Sequence, residues 1–200
     1  THGRTGLAHL LMGSITEAVL RSIPIPVLAL KLGQRDRPLT TVQRILWATD
    51  LSPVSEGAWR YAVKLADVFH AEVVLLHIVR PTKLAGRVGD LVPPPEGWQE
   101  HHLSSLQREL DRRQQVIEAL GLRARRKLLV GIPAEVIVAE AKVEQVDLVV
   151  VGTHGRSGLT HALLGSVAEA VIRTAPCPVL AVKVKSDSEA KEQDVDGAAA

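Results

Sequence analysis

A parallel α/β sheet with helices on both faces is the fold this sequence predicts, and two observations carry it. Apolar, β-branched runs alternate with stretches of helical periodicity in a β-α-β-α-β-α-β-α-β order across residues 44–184, giving five strands. Two of the runs, Glu72 to Val79 (EVVLLHIV) and Asp147 to Val151 (DLVVV), are continuous rather than alternating, as in strands covered on both faces. Parallel neighbours then need right-handed crossovers, which the helical stretches supply.

The elements follow in order. Ile45 to Thr49 is a short strand ending at Asp50. Ser52-Pro53 opens a helix, with Ser at the cap and Pro in the first turn, and Ala58, Tyr61, Ala62, Leu65 and Phe69 form its apolar stripe. After the strand at 72–79, residues 80–99 carry four prolines and three glycines and read as a long loop of the kind that is often functional. A helix at 100–120 buries Leu103, Leu106, Leu110, Ile117 and Leu120. Its charges Arg108, Glu109, Asp111, Arg112 and Arg113 face solvent, and Gly121 stops it. Residues 123–130 form a strand that starts basic and ends apolar, Pro133 to Gln145 a helix, and 147–151 the next strand. A glycine-rich loop at 152–158 leads to a helix ending near 174, and Pro176-Cys177-Pro178 leads to a last strand ending near Lys183. The tail from Ser186 has almost no apolar mass beyond alanine and reads as disordered.

Composition bounds the function. A net charge of +2 in 200 residues gives no electrostatic argument for nucleic acid, and no apolar run reaches the roughly 18 residues of a membrane span. The single cysteine, Cys177, permits no disulfide within the chain and lies in an apolar run where a buried thiol is expected. A cytoplasmic protein is the default expectation.

The chain also repeats itself. Residues 1–31 and 153–183 are identical at about two thirds of aligned positions, at a constant offset of 152. That offset is one domain length rather than a solenoid period. The reading is a complete domain at 44–184, preceded by the last helix and strand of a sister domain at 1–31 and a polar linker at 32–43, and followed by a tail at 185–200. The strand near Ile25–Leu30 then needs cover, and the strand near Val179–Val182 is the expected partner, within one chain or between two.

The glycine loop carries the chemistry. Gly152, Gly155 and Gly158, then Gly165-Ser166, include the layout G-x2-G-x9-G-S. Glycines let backbone approach a ligand, successive N–H groups make an anion nest, and a helix N-terminus favours phosphate. For Ser166 to offer its N–H, the long helix must open at Gly165-Ser166 rather than near 160. The spacing is neither a Walker loop nor a dinucleotide fingerprint. His154 and His161 recur as His2 and His9, but no Cys, Asp or Glu joins them at ligand spacing, so no metal site is read. His77, in an apolar strand, reads as a satisfied core histidine.

The combination ILWATDLS, VVLLHIV, VGIPAEVI and DLVVVGTHGRSGL…LLGSVAEAVIRTAPCPVLAVK resembles the universal stress protein family over residues 44–184, and residues 1–31 resemble the family's closing segment. The resemblance implies a five-stranded parallel sheet of order 3-2-1-4-5 in a Rossmann-like, adenine nucleotide alpha hydrolase-like fold. Its winding reversal places Asp50 and the glycine loop on two sides of one crevice. It further implies the ATP-binding subclass, with Mg or Mn accompanying the nucleotide. Carried over, Ala48, Thr49 and Asp50 lie at the ribose and adenine edge, Ile78 gives a backbone contact to adenine, and Val151 and Gly152 border the nucleotide. Gly155, Arg156, Gly158, Gly165, Ser166 and Val167 match the phosphate side. Ala48 stands where some binders have proline, which changes loop stiffness but leaves a backbone contact. The function implied is a nucleotide-dependent regulatory module of the stress response, dimeric or pseudo-dimeric through its last strands. The alternatives are a slow ATPase or phosphotransferase, and an interaction module without nucleotide. No placed general base, Walker lysine or second carboxylate favours efficient catalysis.

Overall fold

The structure, a computed structural model, describes residues 18, 20, 22, 23, 25–30, 41–52, 55–80, 98–153 and 164–183. The loop at 81–97, most of the linker and the tail beyond 183 lie outside the described residues, so their expected states are not addressed by it.

Among the described residues, six strands form one sheet: β1 (Val27–Ala29), β2 (Arg44–Thr49), β3 (Glu72–Val79), β4 (Ala124–Val130), β5 (Leu148–Gly152) and β6 (Val179–Val182). Among the described residues, four helices have defined bounds: α1 (Glu56–Phe69), α2 (Trp98–Ala119), α3 (Pro133–Val143) and α4 (Ser166–Thr174). The spatial order is β1-β6-β5-β2-β3-β4. The sheet thus has six strands rather than five and is mixed rather than wholly parallel. Within it, β2 to β6 pair in parallel and, counted from β2, run 3-2-1-4-5. The added strand is β1, antiparallel on the edge of β6.

The β1–β6 register follows from the repeat. Val27 faces Ala181, Leu28 faces Leu180, and Ala29 faces Val179. Shifted by the repeat offset of 152, Val27, Leu28 and Ala29 become Val179, Leu180 and Ala181. Exchanging the two copies therefore leaves the pairing unchanged, and a local two-fold passes through the Leu28–Leu180 pair. The backbone row that β6 would otherwise expose is filled by the chain's own second version of that strand.

Two apolar layers sandwich the sheet. On one face, Leu46, Leu76, Val149 and Val179 pack under α3 (Ile137, Ala141), α4 (Ala168, Val171, Ile172) and Leu20 from the first repeat. On the other, Ile45, Trp47, Val73, Leu75 and Val150 pack under α1 and Ile117 of α2. The stripe of α1 is Ala58, Ala62 and Ala66, all fully buried, while Tyr61 is 40% exposed. Small residues at i, i+4, i+8 bring the helix close to the large side chains of the strands, which displaces Tyr61 from the expected stripe. Leu103 of α2 and Leu120, just past its end, are likewise exposed rather than in the core. Gly121, at φ +79°, ends α2 as expected, and His70, at φ +52°, ends α1.

Two charge assignments differ from a simple solvated face. Arg113 tucks over Trp47, its Cζ 5.9 Å from the ring centroid, and pairs with Glu109. Asp111 pairs with Arg126 of β4. The basic start of β4 is neutralised from both sides of the sheet. Arg125 bonds Glu72 at 2.8 Å and Glu144 at 2.6 Å, and Lys127 bonds Glu140 and Glu144.

Hydrogen bonds from Lys127, then from Arg125, hold the Glu144 carboxyl below its ordinary value of 4.5. Lys127 is raised by Glu140 and Glu144, and Arg125 by Glu144 first. A depressed carboxyl stabilises the fold above its unfolded value and loses that contribution as pH falls through the folded value. Glu144→Gln is therefore expected to cost about 1 kcal/mol at pH 7 and progressively less below about pH 4.5, so that urea midpoints of the two proteins converge in acid. A gap that stays constant from pH 7 to pH 3 would contradict this role.

Candidate functional site

Winding reverses between β2 and β5, so the carboxyl ends of these neighbours open a crevice. Ala48 of β2 pairs in register with Val151 of β5, one residue before Gly152. Asp50 leaves β2 two residues later. Across β2, Thr49 pairs with His77, which precedes Ile78 on β3. The sheet thus gathers Ala48, Thr49, Asp50, Ile78, Val151 and Gly152 at one end. Gly155, Arg156 and Gly158 lie outside the described residues, as do His154 and His161.

The glycine-loop side is anchored at Thr153 and Gly165. Thr153, 3% exposed, donates its N–H to Val182 O at 2.9 Å and accepts from Gly165 N–H at 2.7 Å. The two ends of the glycine segment are therefore fastened to each other at the exit of β5. Helix α4 begins at Ser166 with Gly165 as its N-cap, in extended geometry and without a side-chain cap. This later start is the one the Ser166 argument requires, and it leaves first-turn N–H groups facing the carboxyl end of the sheet. Ser166 is exposed and Val167 half-buried.

The Asp50 side of the crevice is a hydrogen-bonded turn. Asp50 Oδ1 accepts both the backbone N–H of Ser52, at 3.0 Å, and its hydroxyl, at 2.6 Å. Ser52 is therefore part of an Asx turn rather than the cap of α1, which begins at Glu56 behind Ser55. Leu51, between them, sits at φ +59°, a left-handed conformation that costs a non-glycine residue about 1 kcal/mol. A buried polar chain holds it there. Leu51 N–H donates to Thr49 Oγ1 at 3.0 Å, and Thr49 and Ser55 hydroxyls lie 2.9 Å apart. Ser55 Oγ donates to Ser52 O at 2.8 Å, which makes Thr49 the donor to Ser55. His77, 5% exposed, approaches Thr49 O with Nδ1 at 2.8 Å. A carbonyl only accepts, so Nδ1 carries the proton.

Sequence reasoning placed His77 in the core but missed this turn. The signal was present: Asp-x-Ser is the pattern in which an Asp side chain bonds the N–H two residues on. Gly131, where β4 hands over to α3, also has a defined role. Its φ is +158°, and a Cβ there would lie 2.7 Å from Val136 Cγ2. Gly131→Ala is expected to destabilise by about 1–3 kcal/mol, read as a lower urea midpoint with unchanged slope.

A depression of about 500 Å3 lies at the opposite, amino end of the strands, lined by residues including Arg44, Lys142 and Asp147. It is a structural joint: Asp147 Oδ2 accepts the N–H groups of Gln43 and Arg44, and the Arg44 guanidinium donates to Glu144 O. Among the described residues, no three His, Cys, Asp or Glu are grouped to hold a metal, and no helix is long and apolar enough to cross a membrane.

An open α/β sheet with a carboxylate and a glycine-bounded helix N-terminus at its reversal defines a Rossmann-type protein. The chain belongs to the universal stress protein family, whose sequence pattern matches residues 1–31 and 41–183. Universal stress protein MJ0531 of Methanocaldococcus jannaschii is 37% identical over 146 residues, covering 70% of this chain and 82% of that protein. The solved structure of protein MJ0577 from the same organism is 31% identical and superposes with a TM-score of 0.62, over 73% of this chain and 99% of that one. A universal stress protein solved in complex with cAMP is 26% identical, with a TM-score of 0.53, over 72% of this chain and 98% of that one.

Proposed function

We propose that the chain is an ATP-binding universal stress protein, a regulatory module whose nucleotide occupancy signals in the stress response. The observation that carries the reading is that Asp50 and the Thr153–Gly165 junction follow the carboxyl ends of adjacent strands, a carboxylate on one and a helix N-terminus on the other. The relative solved with cAMP supports an adenine nucleotide as the ligand class.

The residues fit such a ligand. Asp50 offers a carboxylate to ribose hydroxyls, and Ala48, Thr49 and the backbone at Ile78 line the base. Val151 and Gly152 border the nucleotide. Gly155, Gly158, Gly165, Ser166 and Val167 offer backbone N–H groups to phosphate, and Arg156 adds a charge-assisted bond. Mg or Mn, carried with the triphosphate, would neutralise part of its charge. In the same reading, 44–184 is the nucleotide-binding domain and 1–31 the closing part of a sister domain. The first part alone lacks the ribose and adenine half. The β1–β6 pairing supports an intramolecular pseudo-dimer, and the setting is the cytoplasm.

The test is extraction of small molecules from freshly purified protein. ATP or ADP released in near-equal amount to protein is the expected result. Its absence, together with no binding when ATP is added, would overturn the reading. ADP that accumulates with time would instead favour slow hydrolysis.

A further inference from the structure

His77 is a buried titratable group that the nucleotide contacts leave unused. Its place is particular. Thr49↔His77 is the last rung of the β2–β3 ladder, beyond which β2 turns away through Asp50 while β3 continues beside β4. By alternation along β3 the imidazole shares the α1 face with Val73 and Leu75, opposite Leu76 and Ile78, and its Nδ1 bonds the Thr49 carbonyl at 2.8 Å.

That carbonyl belongs to the Thr49–Asp50 peptide. A trans peptide is planar, with its N–H antiparallel to its C=O, so fixing Thr49 O also fixes the direction of the Asp50 N–H and the start of the Asp50 side chain. The same threonine holds the strained Leu51 through its hydroxyl, and Ser52 in turn holds the Asp50 carboxylate. His77 thus secures the plane from which the turn departs, while its own main chain leads directly to Ile78.

We propose that His77 is a positioning residue for the nucleotide: by donating Nδ1–H to Thr49 O, it sets the orientation of Asp50 relative to the Ile78 backbone, and so couples the ribose and adenine contacts. The inference rests on the ATP-binding reading above. It gives a buried histidine a task other than filling the core, and it places a determinant of affinity one layer below the ligand.

Three substitutions separate the roles. His77→Asn keeps an N–H donor at nearly the position of Nδ1. His77→Gln carries its amide further out, past Thr49 O, and His77→Leu has no donor. ATP affinity is measured by calorimetric titration on the full chain, with urea midpoints in parallel. The expected result is that His77→Gln and His77→Leu bind ATP about tenfold or more weakly, while His77→Asn stays within about threefold of the native chain. A merely structural histidine would lower the urea midpoint of all three and leave the affinity of the folded protein unchanged. Equal ATP affinity for the Asn and Gln variants would overturn the proposal even if His77→Leu does not fold. Native chain that binds ATP alongside such equal variants would leave the ATP reading standing and remove only His77's role; native chain that binds no ATP would remove both.

Discussion

Asp50→Asn is expected to bind ATP at least about tenfold more weakly than the native chain while unfolding at only a slightly lower urea concentration, because a hydrogen bond to a charged group is worth about 1.5–3 kcal/mol. The separation of the two effects comes from the turn. Asp50 Oδ1 accepts the N–H and hydroxyl of Ser52, and an asparagine oxygen can accept both in the same place. What asparagine removes is the negative charge that a ribose would meet. Asp50→Ala removes the turn as well, and is expected to lose both affinity and about 1–2 kcal/mol of stability. Equilibrium titration with ATP and urea unfolding on the three proteins check this pattern. An Asn variant with native affinity would place the ribose elsewhere.

The largest expected effect on stability is at Trp47. Its side chain is fully buried between β2 and α1, with its ring centroid 4.9 Å from that of Trp59 and the Arg113 guanidinium over its face. Trp47→Ala is expected to cost about 3–5 kcal/mol, lowering the melting temperature by roughly 10 °C for a domain of this size. Trp47→Phe should cost far less. Trp47 Nε1 is buried and has no hydrogen-bond partner among the described residues, so phenylalanine discards a group whose desolvation is uncompensated. The gain of about 1–3 kcal/mol offsets most of the smaller cavity. Thermal melts of both variants test this. A phenylalanine variant as unstable as the alanine variant would show that the indole nitrogen is satisfied in solution.

The parts of this fold legible in the sequence were those set by local pattern. The continuous runs at 72–79 and 147–151 became β3 and β5, the interior strands that flank β2. The start of α4 at Ser166 followed from asking which N–H groups a helix leaves free. Patterns with two local solutions were misread. An Asp-x-Ser-Pro run can cap a helix or close an Asx turn, and here it closes the turn, pushing α1 back to Glu56. Helical periodicity favours the largest apolar residue on a face, whereas the close approach of α1 to the sheet selects Ala58, Ala62 and Ala66 over Tyr61. Long-range pairings left no local trace. Arg113 reaches Trp47 from another element, and His77 bonds a carbonyl 28 residues away. The repeat did identify β1 as the partner of β6, since only a copy of the same strand yields a register that survives exchange of the two.

The central claim is that one adenine nucleotide binds between Asp50 and the start of α4. Its most direct measurement is calorimetric titration of the chain, stripped of any nucleotide it carries, with ATP and MgCl2. The expected result is saturable binding at one nucleotide per chain, lost or strongly weakened in Asp50→Ala. No saturable heat up to millimolar ATP, or binding that Asp50→Ala leaves untouched, would contradict it.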